Sequence, residues 1–204
     1  MIRVFSGLLV VLATSAGAQE GPSFDCANAG STAEELICAD AGLAALDRRV
    51  AQRYAAALDK AGGAAGELRA YQRGWIKGRD ECWKAEDERA CVEGEYLRRE
   101  AELVARWMLE EPTGTVFWAC GGNPANEVVT MFFDTELPSV RFEQGDIVDT
   151  GVQVMAASGA RYDSGGWYEG SFGRSIWMKG EGAVYSEHGP EGSTIYACVL
   201  TQRR

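Results

Sequence analysis

The chain has 204 residues, 46% hydrophobic and 25% charged, with a formal net charge of −10. Such an acidic balance argues against nucleic acid or anionic membrane as a partner and suits solubility or a basic protein partner. With one histidine and no G-x-S-x-G, Walker or H-E-x-x-H pattern, the sequence presents no catalytic constellation, so we read it as a non-enzyme without a cofactor.

The N-terminus carries Arg3, an apolar run over residues 8–13, and small residues ending Ala16-Gly17-Ala18. This is the pattern of a secretory signal peptide over residues 1–18, cleaved near Ala18. The run is too short to persist as a membrane span. The first cysteine is Cys26, too far on to take a lipid at the cleavage point, so no membrane anchor is expected. Removing the positive charge of Arg3 takes the net charge from −10 to −11. The mature protein is expected to be periplasmic or secreted.

From residue 31 to 108 the apolar pattern is helical. Leu43, Leu46, Val50, Tyr54 and Leu58 form one stripe, and Gly62-Gly63 ends that helix. A second helix begins near Glu67, with Leu68, Tyr71 and Trp75 on one face; a third begins near Glu88 with Val92, Tyr96, Leu103 and Trp107. Aromatics at this spacing read as core. Glu34 and Glu35, three and four residues after Ser31, read as a capping box rather than a catalytic pair.

From Thr115 the pattern turns to alternation and β-branched or aromatic runs: TVFWAC, EVVTMFF, SVRFEQGDIVDTGVQVM, RSIWMKGEGAVY and STIYACVL. Short strands between Gly, Pro, Asn and Asp turns predict an antiparallel sheet or small barrel. The switch falls in Glu110-Glu111-Pro112-Thr113-Gly114. The predicted fold is therefore α+β in two domains: a three-helix, disulfide-stapled bundle over 19–111 and a small antiparallel β-barrel over 114–204.

All six cysteines lie after the signal, which in an oxidising compartment implies three disulfides. Antiparallel helices would set Cys38 opposite Cys82 and Cys26 opposite Cys91. Cys120 and Cys198, in the first and last predicted strands, would close the β half. Without a Cys-x-x-Cys pair, and with His188 remote from Cys82 and Cys91, no metal site is expected.

The helical half resembles the LprI-type lysozyme-inhibitor domain. The resemblance is carried by FDCANAGSTAEELIC (residues 24–38), LAALDRRVAQRY (43–54), YQRGWIKGRDECW (71–83) and Cys91. Within it, Gln72, Arg73, Trp75, Arg79 and Asp80 read as a helix-packing and ion-pair set. The β half resembles the MliC/PliC inhibitors of c-type lysozyme, built on an eight-stranded antiparallel barrel. FWAC (117–120), SGARY (158–162), WMKGEGA (177–183) and YAC (196–198) carry this likeness, with S-G-x-x-Y and W-x-K-G the distinctive pieces. Two departures stand out: DSGGWYEGSFGRSI is inserted between Tyr162 and Trp177, and Gly182 occupies a commonly acidic position.

The resemblance implies an inhibitor whose partner is a basic c-type lysozyme and whose contact residues are Ser158, Gly159, Arg161, Tyr162 and Lys179. Such an enzyme uses two carboxyl groups in a cleft. A hydroxyl, a glycine that permits close backbone approach, and one long-stemmed ammonium are suited to enter that cleft. Tyr162 is expected to support the loop from beneath and Arg161 to reach the rim. The insertion could put Arg174 where the lysine acts. The rival reading is a periplasmic binding or envelope-maintenance module with another partner, followed by a glycan-processing enzyme.

Overall fold

The computed structural model describes residues 20–123, 125–165 and 172–203. The expected signal peptide, and the part of the insertion at 166–171, lie outside the described residues. Four α-helices, α1 (Thr32–Ala39), α2 (Ala41–Ala61), α3 (Ala65–Asp80) and α4 (Glu88–Trp107), precede eight strands. The strands are β1 (Gly114–Cys120), β2 (Glu127–Phe133), β3 (Ser139–Gln144), β4 (Ile147–Val154), β5 (Ala160–Asp163), β6 (Gly173–Lys179), β7 (Gly182–Gly189) and β8 (Gly192–Arg203).

Local chemistry sets the helix starts. The Ser31 hydroxyl accepts from the Glu34 N–H at 3.2 Å, Asp40 from the Leu43 N–H at 3.0 Å, and Asp87 from the Ala90 N–H at 2.9 Å. Each satisfies an amide that the first helical turn would leave unpaired. Asp40 is extended, ending α1 and capping α2, so the predicted first helix is preceded by a short separate one. On α2, Leu43, Leu46 and Val50 are buried, while Tyr54 and Leu58 pack at the margin. Val92, Tyr96 and Leu103 of α4 face them. Tyr71 departs from expectation, since it is 58% exposed and not part of the core.

The two N-terminal disulfides correct the expected pairing: Cys26 bonds Cys38 and Cys82 bonds Cys91, not Cys26 with Cys91 or Cys38 with Cys82. An antiparallel pairing with Cys82 would need Cys38 at the start of α2. It lies in α1 instead, beside the 3-10 turn at Cys26–Asn28. Cys82 and Cys91 lie on either side of the α3–α4 corner, only nine residues apart. Short local loops close readily, and each bridge contributes about 3 kcal/mol in the chain-entropy view. The third bridge joins Cys120 to Cys198, directly paired on β1 and β8 and 78 residues apart, a loop length worth about 4–5 kcal/mol.

The barrel is closed and antiparallel in simple chain order, β8 returning to pair with β1. Alternate residues fill it: Trp118, Val128, Val140, Phe142, Ile176 and Tyr185 are buried in its core. The Trp118 indole N–H donates to the buried Thr130 hydroxyl at 3.0 Å. The helical half docks on the barrel through α4. Val104 and Ala105 pack against Phe133 of β2, and Arg141 of β3 donates to the Arg106 carbonyl at 2.5 Å. Arg49 of α2 bridges the halves, 2.8 Å from buried Glu100 and 2.5 Å from Glu136.

Candidate functional site

The β4–β5 loop and the β6–β7 turn meet at one end of the barrel. Strand register dictates this: Ala160 pairs with Met178, and Lys179 with Gly182 across the turn. Ser158 and Gly159, just before β5, therefore lie beside the last residues of β6. The last three residues of SGARY begin the four-residue strand β5.

Two contacts fix this loop. The Trp177 indole N–H donates to the Ser158 carbonyl at 2.6 Å. Gly159 adopts φ +72° with its α-carbon against β6, so a β-carbon there would fall 2.1 Å from the Met178 carbonyl oxygen. No side chain fits such a gap, and the positive φ adds its own penalty, about 1–2 kcal/mol for an L-residue. Gly159→Ala is accordingly expected to lift the loop off β6. We expect a loss of about 2 kcal/mol or more in stability, a fall of roughly 8 °C or more in the barrel's thermal midpoint, and weakened inhibition. A variant with unchanged midpoint and inhibition would show that this close approach does not constrain the loop.

The five sequence-nominated residues separate by environment. Ser158, Gly159 and Lys179 are exposed. Among the described residues the Lys179 ammonium has neither an ion-pair nor a hydrogen-bond partner, leaving three donors and a charge for a ligand. Arg161 faces outward opposite Trp177 in the β5–β6 register and pairs with Asp163 at 3.3 Å. Tyr162 points into the barrel, 9% exposed, with its ring 5.1 Å from that of Phe132. Burial holds its phenol pKa above the ordinary value. Tyr162 is thus part of the barrel core rather than of its exposed surface.

Arg174, the alternative cation, is held elsewhere. Its guanidinium lies 3.3 Å from Asp149 and 3.7 Å from Glu187, with the side chain mostly buried. Five residues before Lys179 on the same strand, it lies about 16 Å away along β6. Trp177 is the participant whose role the sequence reading missed. It is 39% exposed, and its motif position gave a signal, but only the fold shows that it holds Ser158.

In the helical half, the motif residues turn inward. Gln72 accepts from Arg99 at 2.8 Å, Trp75 packs edge-on to Tyr96 with ring centroids 5.3 Å apart, and Arg79 is buried against Tyr96. Arg73 is exposed. Among the described residues, no cluster of three or more His, Cys, Asp or Glu could hold a metal, and no helix is long and apolar enough to cross a membrane.

The helical module and the barrel docked on it each match a family of lysozyme inhibitors. Residues 25–113 match the family described as "Lysozyme inhibitor LprI", and residues 118–193 match that described as "Membrane-bound lysozyme-inhibitor of c-type lysozyme". The two matches follow one another along the chain, the LprI match over the helical half and the MliC match over the barrel. Similar proteins include "Lipoprotein LprI" of Mycobacterium tuberculosis and of Mycobacterium bovis, each 29% identical over 144 residues, covering 70% of this chain and 71% of theirs. No solved structure matches significantly.

Proposed function

We propose that this protein is an exported inhibitor of c-type lysozyme, freed from its signal peptide near Ala18, that inserts the Ser158–Gly159 loop and Lys179 into the enzyme's catalytic cleft. The observation that carries this reading is the convergence, at one barrel end, of the Trp177-held loop with a lysine that has no partner among the described residues. A preorganised protrusion loses little freedom on binding, so more of its contact energy appears as affinity. Lys179 faces the acidic pair of the cleft; the Ser158 hydroxyl bonds beside it. Arg161 lies beside this end and meets the rim.

The charge of the whole molecule acts at longer range. A mature body of net charge −11, the −10 of the full chain less the positive charge of Arg3, attracts a basic enzyme, while one local ammonium matches the enzyme's acidic cleft. Titrating the full-length protein into c-type lysozyme and following turnover of its substrate tests the reading, with stoichiometric loss of activity as the expected result. Undiminished turnover at saturating protein would instead assign the molecule to another envelope partner. In the same system the association rate is expected to fall about tenfold between low and physiological salt, where the Debye length shrinks to about 8 Å. A salt-independent rate would remove steering and leave insertion standing.

A further inference from the structure

The barrel's outer surface is covered on one side and bare on the other. In the closed ring β7 stands opposite β3. The helical half lies on β2, β3 and β4 through α4, where Met131 and Phe133 of β2 pack with Val104 and Ala105. On the β6–β8 side, alternation sends Ile176, Tyr185 and Cys198 into the core. It leaves Trp177, Val184, Ile195, Ala197 and Val199 outward and exposed. Ile195 and Val199 keep 69% and 62% of their surface in solvent, unusual for large aliphatic side chains in register with one another.

Strand register joins these side chains into one surface. Trp177 pairs with Val184, and Val184 with Ala197; Ile195 and Val199 lie two residues to either side of Ala197 along β8. Lys179 pairs with Gly182, and Gly182 with Val199. The lysine therefore occupies a corner of the same face, about 7 Å from Trp177 along β6. Five apolar residues stand side by side in a chain of net charge −10, with a cation at their edge. Single exposed apolar residues are ordinary, but a contiguous set marks an interaction surface.

We infer that this β6–β8 face forms the main body of the lysozyme interface, bedding on an apolar wall of the enzyme's cleft while Lys179 enters beside it. The inference rests on the inhibitor reading above. A loop and one lysine cover far less than the roughly 800 Å² per partner that a stable inhibitor complex buries, so most of the footprint comes from surface contiguous with them. The chemistry is complementary. A glycosidase sets its carboxyl groups in a cleft, and ligand clefts are walled mostly by apolar side chains. Here one ammonium stands at the edge of an uncharged apolar face. Arg161, beside Trp177 across the β5–β6 pair, borders that face on its other flank. The helical half, docked across the ring on β2–β4, lies on the side away from the bound enzyme.

The test measures inhibition of c-type lysozyme by the full-length protein, with thermal midpoints and sedimentation in parallel. Val184→Asn combined with Val199→Asn should weaken inhibition about tenfold or more, and the loss should persist at high salt because neither residue is charged. Threonine at both positions keeps the β-branched shape that strands favour and should weaken inhibition about threefold with an unchanged midpoint. Ile147→Asn, exposed at the opposite end of the barrel, should inhibit as wild type does. Suppose wild type inhibits and Lys179→Ala is weakened, yet both valine pairs inhibit as wild type; this assignment then falls alone and the lysine reading stands. Wild type without inhibition overturns the lysozyme reading and this one with it. A wild-type dimer that the substitutions dissociate without loss of inhibition also overturns the assignment, making the face a contact between two copies of the chain.

Discussion

Lys179→Glu is expected to abolish measurable inhibition of c-type lysozyme while leaving the barrel folded. The lysine is exposed at the end of β6, and among the described residues nothing in the protein bonds its ammonium, so folding does not depend on it. On binding, that ammonium would be desolvated against carboxylates. Truncating one partner of a buried charge pair typically costs about 2–5 kcal/mol, part of which is the penalty for the charge left alone. Lys179→Ala should therefore weaken inhibition at least about tenfold, and the glutamate more, because it sets like charges together. Ser158→Ala should cost less, about 1–2 kcal/mol for one hydrogen bond to a charged group. Inhibition constants measured with thermal midpoints separate lost binding from lost fold. Equal inhibition by wild type and folded Lys179→Glu would exclude the lysine. Arg174 could not then inherit its role, because Asp149 and Glu187 hold it farther back along β6. The search would pass to Arg161 or to the helical half.

How much of this was legible in the sequence depended on the range of the interaction. The stripe Leu43–Leu46–Val50 and the alternation around Trp118 follow from one element's geometry, and both appear as buried faces. The pairing of Cys120 with Cys198 also follows from closure, since the first and last strands of a barrel are neighbours. The other two disulfides were misread because they depend on where one helix stops. A single extended residue, Asp40, separates α1 from α2, and that break gives Cys38 to Cys26.

The docking of the halves left almost no trace in the pattern. Val104 and Ala105 are small residues on a helix already rich in core positions, and nothing in their spacing distinguishes the face that meets Phe133. Tyr71 shows the opposite failure. It has core spacing, yet the barrel side of α3 is a cleft rather than a packed surface, so its ring stays in solvent. At the candidate site the motif letters identified Ser158 and Lys179, but not the link between them. That link is the indole of Trp177 reaching 19 residues back to a carbonyl.

The second large effect is expected in the helical half. Arg79→Ala should destabilise it by about 3–5 kcal/mol, because Arg79 anchors a buried polar network. Its guanidinium donates to the Tyr96 hydroxyl at 2.9 Å and to Asp80 at 2.7 Å, and lies 3.4 Å from Glu34. The Tyr96 hydroxyl donates in turn to Asp47 at 2.8 Å, and Asp47 accepts the Ser23 N–H at 2.5 Å. Burial works against the charge of Arg79, but Tyr96 and Asp80 outweigh it and hold the guanidinium pKa above its ordinary value. The planar group also lies over the rings of Trp75 and Tyr96, at 5.7 and 5.8 Å. Lysine cannot reproduce that fork or that stacking, so Arg79→Lys should recover only part of the loss. Since Tyr96 and Arg79 share one network, Tyr96→Phe combined with Arg79→Ala should cost clearly less than the sum of the two single changes. Urea denaturation of the four proteins measures this directly. A single-variant loss below about 1 kcal/mol, or strict additivity, would show that the motif residues around Arg79 act separately and not as one folding unit. Inhibition by the folded fraction should stay near wild type, because none of these residues reaches the barrel end where Lys179 stands.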